Sequence, residues 1–158
     1  MEAFWTFFIV IGGSGATMGL VFCYLRSRSV HLRSIGRLSI VPSMFNINEP
    51  VIFGTPIVMN PVFFIPFLLA PLVNAIIAWA AMKMDLIGRV ISVVPWTAPA
   101  PIGGAWALGW DFRAAVLVVI LAVISAIIYY PFFKVYEKQL LEQEAEEAQR
   151  AEEGQQVA

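Results

Sequence analysis

Three long apolar stretches, residues 3–25, 62–82 and 114–133, alternate with shorter polar connections along this chain. A transmembrane helix needs about 20 predominantly apolar residues, because the hydrocarbon core of a bilayer is roughly 30 Å thick. Each stretch is long enough to meet that requirement. The pattern therefore predicts an all-α integral membrane protein with about three transmembrane helices.

Residues 43–61 and 90–108 are also apolar, but prolines and glycines interrupt them. Proline lacks a backbone donor and disfavours the helical region for the residue before it, so neither segment predicts an unbroken helix. Non-helical backbone is tolerated at membrane depth only where protein buries it or where it lines a water-filled cavity. We therefore predict two re-entrant hairpins that enter from opposite faces, a pattern that marks a midplane binding site in transporters.

The middle of the first stretch, residues 12–17, is rich in glycine and other small residues, and Gly19 follows Gly15 at a spacing of four. Small residues at this spacing let a second helix approach closely in lipid. Glycine also permits a break in the helix that would expose backbone donors to a ligand. The sequence leaves both interpretations open.

Basic side chains cluster directly after the first stretch: Arg26, Arg28, His31, Arg33 and Arg37. Such residues concentrate on the cytoplasmic side of a membrane, so we expect a cytoplasmic loop here, with His31 at its surface. Lys134 and Lys138 place the C-terminus on the same side. We expect residues 1–136 to form one membrane domain and residues 137–158 a Glu-rich cytoplasmic tail, either helical or disordered.

The composition agrees with a membrane protein, because 59% of the residues are hydrophobic and 13% are charged. A soluble domain has roughly a quarter of its residues charged. The basic cluster is short and adjoins a predicted span, so nothing indicates nucleic-acid binding. We expect no cofactor and no metal, because the sequence contains no nucleotide-binding loop and no cluster of metal ligands.

Glu49 is the one carboxylate within the predicted membrane-depth segments. An ionisable group at such depth is a functional-site hypothesis by default. A carboxylate accepts hydrogen bonds from two hydroxyls, and the neighbouring amides Asn46 and Asn48 both donate and accept, which suits a polyol. Glu49 could instead serve as a general base, or pair with a basic group and pin the hairpin.

The second interrupted segment adds Trp96 and Thr97 to the candidate binding residues. The face of a tryptophan ring suits the C–H face of a sugar ring, so Trp96 could provide a stacking platform. Tryptophan is also enriched at both membrane interfaces, which is the alternative explanation for Trp96.

Several motifs resemble one family of membrane proteins. They are F-N-I-N-E-P-V-I-F-G-T-P-I-V-M-N-P from Phe45, G-G-S-G-A-T-M-G-L from Gly12, V-P-W-T-A-P-A-P from Val94 and Y-Y-P-F-F-K-V-Y-E-K-Q from Tyr129. Together they are similar to the lactose/cellobiose group of EIIC membrane components of the bacterial sugar phosphotransferase system. The similarity covers nearly the whole chain up to about residue 143.

The resemblance implies a permease of the bacterial cytoplasmic membrane for a disaccharide such as cellobiose or diacetylchitobiose. A phosphorylated EIIB partner subunit would phosphorylate the sugar, and this chain carries no phosphoryl-accepting residue of its own. The family's Asn-Glu-Pro motif maps the sugar-binding carboxylate to Glu49, with Asn48 beside it. Family members are more than twice as long and form homodimers through N-terminal helices, so the chain looks like the C-terminal part of such a permease.

Two other classes of function stay open from the residues alone. In a fragment of an ion-coupled secondary transporter, Glu49 would relay protons. In a non-transporting membrane assembly protein, the Gly-rich stretch would pack against a partner and Glu49 would form a structural ion pair. Replacing Glu49 by Gln separates the three hypotheses, because they predict loss of sugar binding, of pH dependence or of assembly.

Overall fold

The computed structural model describes the backbone of residues 2–157 and the side chains of residues 2–150. This part of the chain is helical and contains no strand, which confirms the all-α prediction. The helices are α1 (Glu2–Phe4), which continues into a π-helical turn (Trp5–Ile9), α2 (Met18–Leu25), α3 (Val30–Met44), α4 (Glu49–Gly54), α5 (Pro61–Lys83), α6 (Ala100–Ala107) and α7 (Phe112–Val157).

Helices α5 and α7 are the two described helices that are long and apolar enough to cross a membrane. Helix α5 contains the predicted stretch 62–82, and α7 contains 114–133 and continues far beyond it. The side chain of Asn60 caps the start of α5 by accepting a hydrogen bond from the backbone N–H of Val62. Prolines at positions 66 and 71 are accommodated inside α5.

The prediction of one continuous helix over residues 3–25 is wrong. The helix ends at Ile9, and α2 begins only at Met18. Gly12, Gly13 and Gly15 between them have φ of +76°, +100° and +80°, a region that residues with a Cβ seldom occupy. The helix is therefore broken at these glycines, while the exposure of their backbone donors to a ligand stays a prediction. Close packing is found at Gly19, where an added Cβ would meet the backbone of Ala126 on α7.

The basic segment after α2 is a loop only at Arg26 and Arg28; from Val30 onward it is a helix, α3, and not the loop that we expected. Ser29 caps its start by accepting a hydrogen bond from the backbone N–H of Leu32. Helix α3 and the short α4 form the two arms of a hairpin, residues 30–54, whose tip is residues 45–48. His31, which is exposed as predicted, lies with Nε2 3.3 Å from the carbonyl oxygen of Gly54, so the two arms meet again at the base of the hairpin.

The second interrupted segment is only partly helical. Residues 88–95 contain no helix, a turn at 96–98 follows, and α6 begins at Ala100. Helix α6 packs closely on the N-terminal helix, because a Cβ at Gly103 would overlap the ring of Phe7. Left-handed conformations at Gly109 and Trp110, with φ of +74° and +67°, then turn the chain into α7.

Two apolar clusters hold the helices together. One contains Phe7, Phe8 and Leu121 at the end of the molecule that includes α6. The other is centred on Tyr24 and Phe63, near the hairpin. Large apolar side chains such as those at positions 68, 72, 76 and 127 are nevertheless exposed on α5 and α7, as expected for helices in an apolar environment.

Candidate functional site

Three stretches of non-helical backbone meet at the hairpin tip. They are the Gly-rich turn at 10–17, the tip at 45–48 and the Pro-rich segment at 95–99. Asn46 connects all three. Its Oδ1 accepts a hydrogen bond from the backbone N–H of Gly12 at 3.0 Å, and its Nδ2 donates to the carbonyl oxygens of Trp96 at 2.9 Å and Ala98 at 3.3 Å.

Asn48 joins the tip to the Gly-rich turn a second time. Its Nδ2 donates to the carbonyl oxygen of Ser14 at 2.7 Å and to Oγ1 of Thr17 at 2.9 Å. Gly13 packs directly on this amide, since a Cβ at Gly13 would overlap the Asn48 side chain. Asn46 and Asn48 are both buried, so the amide hydrogens that we assigned to a ligand are donated inside the protein.

Buried side chains on α5 and α7 satisfy the backbone groups that the helix break sets free. Nδ2 of Asn74 donates to the carbonyl oxygen of Ile9 at 3.2 Å and to Oγ of Ser125 at 3.0 Å. The hydroxyl of Tyr129 donates to the carbonyl oxygen of Gly15 at 2.7 Å. An unpaired carbonyl in an apolar interior costs several kcal/mol, which explains why these polar residues lie on helices that are otherwise apolar.

Sequence analysis missed the roles of Tyr129, Asn74 and Thr17 in this network. Thr17 is fully buried and donates its hydroxyl to the carbonyl oxygen of Gly12 at 3.1 Å while accepting from Asn48. The available signal was a polar side chain within an apolar stretch, which requires a partner. That signal identifies the residue but not its partner.

Glu49 is placed differently from its neighbours. It is the first residue of α4, it is exposed, and within the described residues its carboxylate forms no hydrogen bond or salt bridge. The partner required for a structural ion pair is therefore not among them. Trp96 and Thr97 are exposed as well, and Asn46 holds their segment against the same hairpin tip.

The arrangement thus combines a backbone that buried hydrogen bonds hold in place with an accessible hydrogen-bond acceptor, the carboxylate of Glu49. Asn46 and Asn48 fix the backbone on both sides of Ile47 and immediately before Glu49. A carboxylate can accept hydrogen bonds from two hydroxyls, and the exposed ring of Trp96 belongs to the segment that Asn46 holds against the hairpin tip. Within the described residues, no group of three potential metal-binding side chains is formed.

The sequence is similar to several membrane components of phosphotransferase systems. Residues 1–71 match the family model described as Phosphotransferase system, EIIC. The chain is 41% identical over 145 residues to the lichenan permease IIC component of Bacillus subtilis (strain 168), which covers 90% of this chain and 32% of that protein. It is 43% identical over 141 residues to the lactose-specific EIICB component of Streptococcus mutans, which covers 89% of this chain and 25% of that protein.

The fold is similar to that of a protein from the same group. The crystal structure of the transporter ChbC, the IIC component of the N,N'-diacetylchitobiose-specific phosphotransferase system, matches with a TM-score of 0.89 and 41% identity. The match covers 92% of this chain and 34% of that one, so the chain spans at most 34% of the length of these relatives. In both sequence and fold, this chain is therefore similar to part of the phosphotransferase-system EIIC proteins.

Proposed function

We propose that this chain is the sugar-binding part of a phosphotransferase-system permease for a β-linked disaccharide of the cellobiose, lactose or chitobiose type. The names of its relatives support this class of substrate, since they refer to lichenan, lactose and diacetylchitobiose. The observation that carries the proposal is the carboxylate of Glu49 at the meeting point of three interrupted segments, which is exposed and has no partner among the side chains that the structure describes.

The candidate residues take different roles in this proposal. Glu49 accepts hydrogen bonds from sugar hydroxyls, and Trp96 and Thr97 contact the sugar from the neighbouring segment. Asn48 and Asn46 contribute to the sugar site mainly by holding its backbone, because their amide hydrogens are already donated to the protein. The binding energy of the sugar then does not have to offset the ordering of the tip.

The proposed topology places the base of the hairpin and the C-terminus at the cytoplasmic face of a bacterial inner membrane. The arginines at positions 26, 28, 33 and 37 support this orientation, because basic residues next to a span concentrate on that side. A phosphorylated EIIB subunit would approach the sugar from the same side. Residues 1–136 would form the C-terminal part of the transport domain, and the remainder of the permease would provide the homodimer interface.

The proposal is tested by equilibrium binding of radiolabelled cellobiose and diacetylchitobiose to the purified chain in detergent. Glu49→Gln should weaken binding by roughly 10- to 100-fold, because it removes charged hydrogen bonds of about 1.5–3 kcal/mol. Glu142→Gln is the matched control, since Glu142 is an exposed carboxylate on the distant part of α7.

Three outcomes would contradict the proposal. Equal affinity in the wild type and Glu49→Gln would remove Glu49 from the site. Absence of saturable binding to the wild-type chain would refute a sugar site contained in these residues. Sugar binding that depends on pH in the wild type and loses that dependence in Glu49→Gln would favour an ion-coupled transporter.

A further inference from the structure

The polar continuation of α7, residues 134–150, is attached to the base of the hairpin. Glu137 lies past the apolar stretch of α7, yet it is only 4% exposed. One of its carboxylate oxygens accepts hydrogen bonds from Oγ of Ser27 at 2.6 Å and from the backbone N–H of Arg28 at 2.7 Å. The other accepts from Nζ of Lys134 at 2.8 Å. This is not the environment of a solvated tail.

Glu144 forms a second attachment two turns later. Its Oε1 accepts a hydrogen bond from the hydroxyl of Ser29 at 2.6 Å, and the backbone N–H of His31 lies 3.5 Å away. Ser29 caps the start of α3, so the two carboxylates of α7 hold the turn from which the first arm of the hairpin begins. The contact between His31 and Gly54 then ties the second arm to the same place.

We propose that Glu137 is a positioning residue for the Glu49 site, acting with Glu144 as a latch that fixes the base of the hairpin to α7. The inference rests on the proposed function, because it assigns the latch to the site in which Glu49 binds sugar. The tip is held independently by Asn46 and Asn48, so the latch sets the orientation of the hairpin relative to α7 while the two amides set the local backbone.

The charges around Glu137 favour its ionised form. Lys134 lies on the same helix, and the side chain of Arg28 belongs to the adjoining turn, whereas the nearby thiol of Cys23 on α2 carries no positive charge. Burial alone would raise the pKa of Glu137, but hydrogen bonds from Lys134, Ser27 and the Arg28 backbone together outweigh burial and lower the pKa. The latch is therefore fully formed above the ordinary pKa of a glutamate and is lost as the pH falls through the lowered value.

Hydrogen–deuterium exchange of the purified chain in detergent tests this inference directly. Glu137→Gln should raise the amide exchange rate about 10- to 100-fold in residues 27–32 and 49–54, because it removes charged hydrogen bonds, and leave α5 unchanged. Glu142→Gln is the matched control on the same helix. The carboxylate of Glu142 is exposed, and its ion pair with Lys138 is long, at 3.9 Å between Nζ and Oε1. Equal exchange in Glu137→Gln and Glu142→Gln would overturn the proposal.

Two further measurements separate positioning from a general loss of structure. Ser27→Ala removes one of the three donors and should raise exchange in the same segments by a smaller factor, even if Glu137→Gln fails to fold; no change in Ser27→Ala would contradict the latch. In the wild type, the amide exchange rate of these segments should increase on acidification, once it is corrected for the pH dependence of exchange in an unstructured peptide. After the same correction, the increase in the amide exchange rate should be smaller in Glu137→Gln, and an equal increase in both proteins would refute the role of Glu137.

Sugar binding distinguishes the failure of this inference from the failure of the proposed function. Glu49→Gln should weaken sugar binding and leave amide exchange in the hairpin unchanged, whereas Glu137→Gln should raise amide exchange and weaken sugar binding together. Raised exchange with unchanged sugar affinity would refute the positioning role alone. A wild-type chain that binds no sugar would refute the proposed function, while the exchange comparison would still decide whether the latch exists.

Discussion

Asn46 has a φ of +61°, in the left-handed region that asparagine tolerates better than most residues with a Cβ. This conformation turns the backbone out of α3 and toward Glu49, and the three hydrogen bonds of the side chain hold it there. At the scale of single residues, asparagine is therefore used for its short side chain with both a donor and an acceptor. Aspartate in its ionised form could replace the acceptor but not the donor.

Asn48→Asp should destabilise the folded chain by roughly 2–5 kcal/mol, because the new carboxylate cannot donate to the carbonyl oxygen of Ser14 and leaves it unpaired. Asn60→Asp is the matched control. Asn60 uses its Oδ1 to cap α5, and aspartate caps a helix equally well. Thermal unfolding of the detergent-purified variants measures the difference. Similar unfolding temperatures in both variants would show that the Asn48 amide is not a structural donor.

At the scale of elements, α7 has two functions along its length. Its apolar part is long enough to cross a membrane, and within that part the hydroxyl of Tyr129 supports the Gly-rich turn through the carbonyl oxygen of Gly15. Its polar part carries Glu137 and Glu144 to the base of the hairpin. One helix therefore contacts the broken segment and the hairpin, which are the two elements that meet at Asn48.

Tyr129→Phe should lower the stability of the folded chain by about 1–3 kcal/mol, because the carbonyl oxygen of Gly15 loses its hydrogen-bond donor in a buried position. Tyr130→Phe provides the matched control, since the adjacent Tyr130 is 53% exposed. The two variants differ only in the position of the missing hydroxyl. Loss of stability in Tyr130→Phe as large as in Tyr129→Phe would contradict the role of Tyr129.

The sequence was sufficient for the features that depend on local composition. Helices α5 and α7 could be predicted because apolar stretches of this length are typical of transmembrane helices. The assignment of Glu49 to a binding site stays a prediction, which rests on the rarity of carboxylates at membrane depth. The break near Gly13 could not be decided, because glycine permits both a helix and a turn. Helix α3 was missed because its arginines were interpreted only as a topology signal.

The features that the sequence could not provide involve residues far apart in the chain. Asn46 and Trp96 are 50 residues apart, and Ser27 and Glu137 are 110 apart. No local pattern encodes such pairs, because each side chain specifies only that it needs a partner. The burial of Glu137 could therefore not be predicted, because it lies in a Glu-rich segment whose composition is typical of a solvated tail.

At the scale of the whole molecule, hydrogen bonds join the interrupted segments to one another at the hairpin tip. The Gly-rich turn and the Pro-rich segment both form hydrogen bonds with the hairpin tip, and α7 forms hydrogen bonds with the turn and with the base of the hairpin. This arrangement leaves Glu49, Trp96 and Thr97 as accessible side chains on a fixed frame. A single sugar molecule should therefore shield residues from both segments at once.

Thiol labelling of Thr97→Cys in a Cys23→Ser background measures that shielding most directly. Met59→Cys in the same background is the control, since Met59 is 87% exposed beyond the other end of α4. Saturating cellobiose or diacetylchitobiose should slow the labelling of Thr97→Cys about tenfold and leave Met59→Cys unchanged, and Glu49→Gln should abolish the protection by weakening sugar binding. Protection that persists in the Glu49→Gln variant, or labelling of Thr97→Cys that sugar does not slow, would contradict a shared site.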